Sequence, residues 1–292
     1  MKGHFFQQDH GMPNEKDYSR DYLPHTRMEL LRTAFLVRRD NLTAYSLIYT
    51  IPWIPAIAWT AIMIFRLFAV LNQTETVGGS QIQSIVFLYT VVMFPLITVT
   101  GPFTLAGSYV MRNWARDEQA DLTLDYRYAL KENWKQGLMF GVTNGLIVSP
   151  GILLLNFYLA RISTSALYFF SIIFIMILML FWQLCCLVIP TMCVTYRIRY
   201  HLILRNAVFI SFMQLFRATG IWLITECIPI AAVVVCATVE SAFIWAPLIA
   251  VVFQVVLGFG ISKMISASYA NMVCEKYINS KIEGAPVDIG LH

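Results

Sequence analysis

The residue with the clearest capacity for chemistry is Glu226, which lies with Pro229 inside an apolar run from 218 to 239. A carboxylate there costs at least ~2.5–3.5 kcal/mol at mid-bilayer on insertion scales, which makes it a functional candidate by default. It can carry a proton, contact a hydroxylated ligand, or pair with a basic group on another helix. The plainer alternative is a buried glutamate satisfied by Trp, Thr or Asn donors nearby. A second constellation lies in the run 82–109, where Pro95, Thr98, Thr100, Gly101 and Pro102 fall within eight positions. Two prolines remove two backbone donors, so the helix is expected to break or bend there. The freed carbonyls need partners in protein or water, since lipid offers none, and the hydroxyls of Thr98, Thr100 and Thr104 are the local candidates. Broken helices line binding sites in transporters; they also serve as packing kinks. The candidate ligand-binding set is therefore Glu226, Thr98, Thr100, Gly101 and Pro102.

Other chemistry is sparse. His4, His10, His25, His201 and His292 lie in tails or a loop without metal-ligand spacing. Asp117, Glu118, Asp121 and Asp125 read as a solvated surface with carboxylates at a helix N-terminus, ahead of a metal site. Cys185, Cys186, Cys193, Cys227 and Cys236 sit in apolar runs and Cys274 beyond them, a pattern of packing residues and not of a disulfide framework. Nucleophile elbows, phosphate-binding loops and paired intramembrane acids are missing. The expectation is a protein that is not an enzyme and has no metal or cofactor. Asn144, Asn156, Gln183, Gln214 and Gln254 are neutral polar groups in the runs. Amides and aromatics can form a sugar site, but aromatic belts at the membrane surface explain most of the aromatics here.

The elements that must position these groups are membrane helices. Hydrophobic residues make up 58% of the chain and charged residues 13%, with mean hydropathy +0.64; a soluble chain carries about a quarter charged residues. Apolar stretches run over 45–71, 82–109, 137–159, 167–194, 218–239 and 243–266. Each has the ~20 residues needed to cross a ~30 Å hydrocarbon core. If each crosses once, all Lys and Arg except Arg66 and Arg161 fall on one side, Lys263 included with the C-terminal end. Positive charge is retained in the cytoplasm, so both termini are expected inside. The loops at Asn72–Ser80, Arg161–Ala166 and Glu240 are expected outside. The net charge of +4 is modest and follows from this topology, so no nucleic-acid partner is inferred.

Residues 1–44 form a polar tail followed by a short amphipathic helix from Thr26 to Val37, with Met28, Leu31, Phe35 and Leu36 on one face. The transmembrane domain then covers 45–268, and 269–292 form a cytoplasmic tail. Pro52 and Pro55 are expected to kink the first span. Gly137, Gly141 and Gly145 make a smooth ridge for close helix packing. Between spans, 112–136 and 197–217 are expected to form two similar cytoplasmic elbows. The first carries Leu122, Tyr126, Leu130 and Trp134 at four-residue spacing. Its Arg112, Arg116, Tyr126, Arg127, Lys131, Trp134 and Lys135 form the expected partner-binding surface.

The stretch Pro95 to Gly107, followed by Tyr109, Arg112, Arg116 and Glu118, resembles a pattern of the YesL-like family of bacterial membrane proteins, a family of unknown function. The helix ending Lys131-Glu132-Asn133-Trp134-Lys135-Gln136 and the later Arg205-Asn206-Ala207 are similar to further elements of it. The similarity covers about residues 90–215, and the N-terminal tail and first hairpin look longer than in the family. The resemblance implies a bacterial cytoplasmic membrane and association with carbohydrate uptake or sensing, and it supplies no catalytic residues.

Together these readings predict an all-α, polytopic bundle of about six spans, N-in and C-in, with cytoplasmic amphipathic helices. The leading expected function is a non-enzymatic accessory or regulatory protein of a carbohydrate uptake or sensing system. Its partners besides the lipid bilayer would be an ABC transporter permease, a membrane histidine kinase, or further copies of itself. The alternative is a small-solute transporter or the substrate-capturing membrane subunit of an ATP-driven importer. A polar cavity reaching both the Thr98–Pro102 region and Glu226 is the feature that favours the alternative.

Overall fold

The computed structural model describes residues 24–71, 79–239, 245–285 and 287–291. The polar tail through residue 23, and the outward loops expected at 72–78 and Glu240, lie outside them. The described residues are helical, with short 3-10 and π segments and no strand among them. Five helices are long and apolar enough to cross a membrane, and six if one pair bent by 96° counts as a span.

Helix α1 (Arg27–Val37) opens on a capping box in which Thr26 accepts from the Glu29 N–H and Glu29 accepts from the Thr26 N–H. Its stripe buried in protein centres on Leu30 and Ala34, while Met28 and Leu36 of the expected apolar face are exposed. The first long apolar unit joins α2 (Arg39–Thr50) to α3 (Ile54–Leu71). The 3-10 turn Ile51–Trp53 between them contains Pro52, so the interruption falls at the expected prolines.

Helices α4 (Gly79–Trp114) and α5 (Leu124–Leu159) form the axis of the bundle. Each has 36 residues, so at ~1.5 Å per residue each exceeds a hydrocarbon core in length. The expected break in α4 does not occur: Pro95 and Pro102 both lie inside one continuous helix. The reason lies across the interface. A Cβ on Gly141 would overlap the Thr98 carbonyl, and one on Gly137 would meet Pro102. The glycine ridge thus lets the α5 backbone press on the stretch where α4 has lost its Pro102 donor. The Gly141 backbone lies against the Thr98 carbonyl there, and α4 remains helical through both prolines. The threonines do not serve the freed carbonyls of Val91 and Thr98. Thr98, Thr100 and Thr104 donate instead to the carbonyls of Phe94, Ile97 and Thr100.

The expected first elbow is not a separate helix either. Residues 124–136 are the opening turns of α5, and the connection shrinks to 115–123. Asp121 Oδ1 accepts from the N–H groups of Thr123 and Leu124, and Asp125 Oδ2 accepts from the Asp121 N–H. These bonds start the helix, as expected of carboxylates at its N-terminus. The second elbow does bend: α8 (Tyr200–Met213) turns by 96° at Gln214 into α9 (Leu215–Thr225). The two elbows are therefore unlike.

The chain continues through α6 (Ala166–Cys186), α7 (Ile189–Thr195), α10 (Cys227–Thr238), α11 (Trp245–Phe253) and α12 (Phe259–Tyr277). A π segment, Gln254–Gly258, joins α11 to α12. Core residues gather on two sides of α4. One cluster holds Ala106, Val110, Met111 and Trp114 with Tyr45 and Met264; the other holds Leu105 with Cys185, Ile189, Ile203 and Val273. At the far ends Phe65, Phe170, Val233 and Ile249 are exposed, as lipid-facing surfaces are.

Replacing Gly137 by Leu should lower the melting temperature of the purified protein, by an overpacking penalty of ~1–3 kcal/mol. Gly220→Ala, where nothing lies within 4 Å of the new carbon, should leave it unchanged or raise it. Equal losses in both would contradict the ridge argument.

Candidate functional site

Pro229 lacks an N–H, so the carbonyl of Thr225 loses its helical donor. Ser262 on α12 takes the place of that donor, its Oγ donating to the Thr225 carbonyl at 2.9 Å. Here the expected span 218–239 is divided: α9 ends, Glu226 takes a non-helical conformation (φ −106°, ψ 10°), and α10 begins. The hydrogen bond ties this junction to α12 one residue before Lys263. Glu226 and Lys263 consequently line the same cavity.

That cavity measures about 260 Å³, just below the ~300–1,000 Å³ of common ligand sites. On the α4 side it is lined by Ile97, Thr100, Gly101 and Thr104, which share one face of the helix. Asn144 of α5, Gln183 of α6 and Gln254 of the π segment add amides, and Tyr49, Trp53 and Trp222 add aromatic walls. Several of these side chains are held in place. Tyr49 Oη shares a 2.9 Å hydrogen bond with Thr104 Oγ1, and Trp182 Nε1 donates to Asn144 Oδ1 at 2.9 Å. The Lys263 ammonium stands 5.5 Å from the centre of the Tyr49 ring, within cation–π range. Trp53 buries its indole N–H without a hydrogen-bond partner. No ion pair joins Glu226 to Lys263 among the described residues. An apolar groove of about 540 Å³ along α6 (Ile173, Met176, Ile177, Met179, Leu180) shares Gln183 and Trp222 with the cavity.

Of the expected ligand-binding set, Glu226, Thr100 and Gly101 line the cavity. Thr98 and Pro102 are not among its lining residues; their backbone packs on Gly141 and Gly137 of α5. Lys263 was missed, being counted with the C-terminal cations. Its signal was its position inside the last apolar run, which ends at 266. Asn144, Gln183 and Gln254 were noted only as neutral polar residues.

The expected partner surface divides in two. Arg116 and Tyr126 are buried, and Tyr126 Oη donates to the Phe103 carbonyl at 3.3 Å. Arg112 donates to the Val194 carbonyl (3.0 Å) and to Asn113 Oδ1, and covers the Tyr109 ring. These three hold the bundle together. Arg127, Lys131, Trp134 and Lys135 are exposed along α5, with Lys135 beside the Trp134 ring. At the same end Arg27 bonds to Glu275 and to the Ile289 carbonyl (2.8 Å), so the segments next to the two termini meet on α12.

Residues 82–157 match the model of a family described as "Protein of unknown function, DUF624". The match coincides with the α4–α5 hairpin and carries no assigned activity. No curated protein and no solved structure matches the chain.

Hydrogen bonds from the Leu124 N–H, and from the Thr123 hydroxyl and N–H, hold the Asp121 carboxyl below its ordinary value. Its folded pKa is depressed, so its stabilisation of the first α5 turn is complete above the unfolded value of ~3.9. That contribution is lost as pH falls through the lower folded value. Hydrogen exchange should show the Thr123 and Leu124 amides protected at pH 5 and progressively released in acid, with Asp121→Ala exposing them at both.

Proposed function

We propose that this chain is a multi-pass membrane protein that binds a small polar solute within the bilayer, as a transporter or as the substrate-capturing membrane subunit of a transport system. The observation carrying this reading is the cavity that joins Glu226 to the Thr100–Thr104 face of α4 and to Lys263. A bundle held together only by packing has no need of an acid, a base and several amides around one space, because each costs energy to place in an apolar interior. The divided helix at Glu226 and the π segment at Gln254 add to the case, since irregular backbone in membranes is tolerated beside cavities. This turns the weighing from the accessory role towards the solute-binding alternative.

The accessory role retains one support. Arg127, Lys131, Trp134 and Lys135 form an exposed basic and aromatic stripe suited to a permease or kinase partner, or to lipid headgroups. A solute-capturing subunit docked through this stripe unites both readings. The resemblance to YesL-like proteins makes a bacterial cytoplasmic membrane the proposed context. Cytoplasmic placement of both ends rests on the distribution of Lys and Arg and on the contact of Arg27 with Glu275.

Thermal-shift screening of the detergent-purified protein against sugars, amino acids and small organic ions should reveal a stabilising class. Glu226→Gln should weaken that ligand at least ~10-fold, as loss of a charged hydrogen bond worth ~1.5–3 kcal/mol implies. A screen in which no solute moves the melting temperature would remove the proposal. For orientation, single cysteines at Gln119 and Thr164, in a chain whose native cysteines are replaced, should react from inside and outside the cell respectively. Labelling of position 119 from outside would reverse the topology.

A further inference from the structure

We infer that the ligand of this cavity is a small zwitterion, with its anionic group at Lys263 and its cationic group at Glu226. The inference rests on the solute-binding reading above and specifies its substrate class. Its basis is the charge pattern. One acid and one base line a single cavity and form no ion pair with each other. Their backbone supports fix them on opposite elements: Glu226 at the α9–α10 junction, Lys263 on α12, with the bond from Ser262 to the Thr225 carbonyl between those elements. Direct collapse of the two charges would be the cheapest arrangement in a space of low dielectric constant. The two line one cavity without ion-pair contact, so a molecule carrying both signs can place a counter-charge on each. A monovalent anion or cation offers a counter-charge to one of them only, and a neutral polyol to neither.

The surroundings fit the same class. Trp222 and Trp53 offer aromatic faces for an ammonium group. The volume of about 260 Å³ suits an amino-acid-sized molecule. Ile97, Phe140, Leu187 and Phe259 add an apolar wall for a hydrocarbon substituent. A neutral amino acid with an apolar side chain meets all of these conditions.

The test uses the full chain in nanodiscs, read by the fluorescence of its tryptophans and by thermal shift. L-leucine is compared with leucinamide, which lacks the carboxylate, with 4-methylpentanoate, which lacks the amine, and with glucose. Leucine should bind at least tenfold tighter than each single-charge analogue. Lys263→Met should abolish the preference over leucinamide, and Glu226→Gln the preference over 4-methylpentanoate. Glucose binding with leucine silent would overturn the zwitterion and leave the solute-binding reading intact. Silence of all four probes would overturn the zwitterion too, with the broader solute screen deciding the parent reading. Leucine binding unchanged in both variants would place its site elsewhere and reject the assignment. If either variant fails to fold, the ranking of the four probes on the unaltered protein still decides.

Discussion

Backbone carbonyls released by proline inside an apolar bundle must be met from another helix, and the arrangement of this protein follows from how two of them are met. Pro102 frees the carbonyl of Thr98, which rests on the backbone of Gly141. Pro229 frees the carbonyl of Thr225, which takes the hydroxyl of Ser262. The first contact brings α4 close to α5. The second draws the α9–α10 junction against α12. The polar cavity is lined both from α4 and from the α9–α10 junction and α12. Lipid cannot supply a donor or an acceptor, so the contacts are enforced by the solvent as much as by the side chains.

This explains which parts of the fold were legible in the sequence. Helical class and the long apolar runs follow from hydropathy averaged over many residues, and such averages survive local irregularity. The ridge of Gly137, Gly141 and Gly145 was readable as a close-packing face because its four-residue spacing places the glycines on one side. The fate of α4 was not. Two prolines and a glycine predict a break or a bend when the helix is considered alone, but against the close approach of α5 the helix runs unbroken through both prolines. Residues 124–136 misled for a related reason. Their amphipathic pattern suits a helix lying on the surface, and equally the base of a long span whose inner side is buried at Tyr126 and Ala129.

The site was half legible. Glu226 announces itself by the cost of its charge, and the Thr100–Gly101 stretch by its prolines. Lys263 did not, because three residues from the end of an apolar run a lysine reads as the cation that closes the span. Side-chain direction decides between these readings, and direction depends on the phase of the helix. The π segment Gln254–Gly258 carries an extra residue per turn and rotates everything after it, so the face on which Lys263 falls cannot be obtained by counting from Trp245. Arg112 and Arg116 show the converse. They look like surface cations in a loop, yet Arg112 caps the Val194 carbonyl and Arg116 is buried. Their charge still obeys the rule that sets orientation, while their side chains serve packing.

The same distinction bears on what the bundle is for. Arg112 and Arg27 satisfy carbonyls and a carboxylate already present in the protein, through Val194, Ile289 and Glu275. Lys263 and Glu226 differ, because both line one cavity without pairing with each other, and the Lys263 ammonium stands by the Tyr49 ring. In a water-soluble protein such a pair is inexpensive, since water screens both charges. Within a membrane bundle the unsatisfied charges raise the energy of the empty state. A molecule of the proposed class would supply counter-charges and lower it. The irregular segments at Glu226 and Gln254 lie on the walls of that cavity.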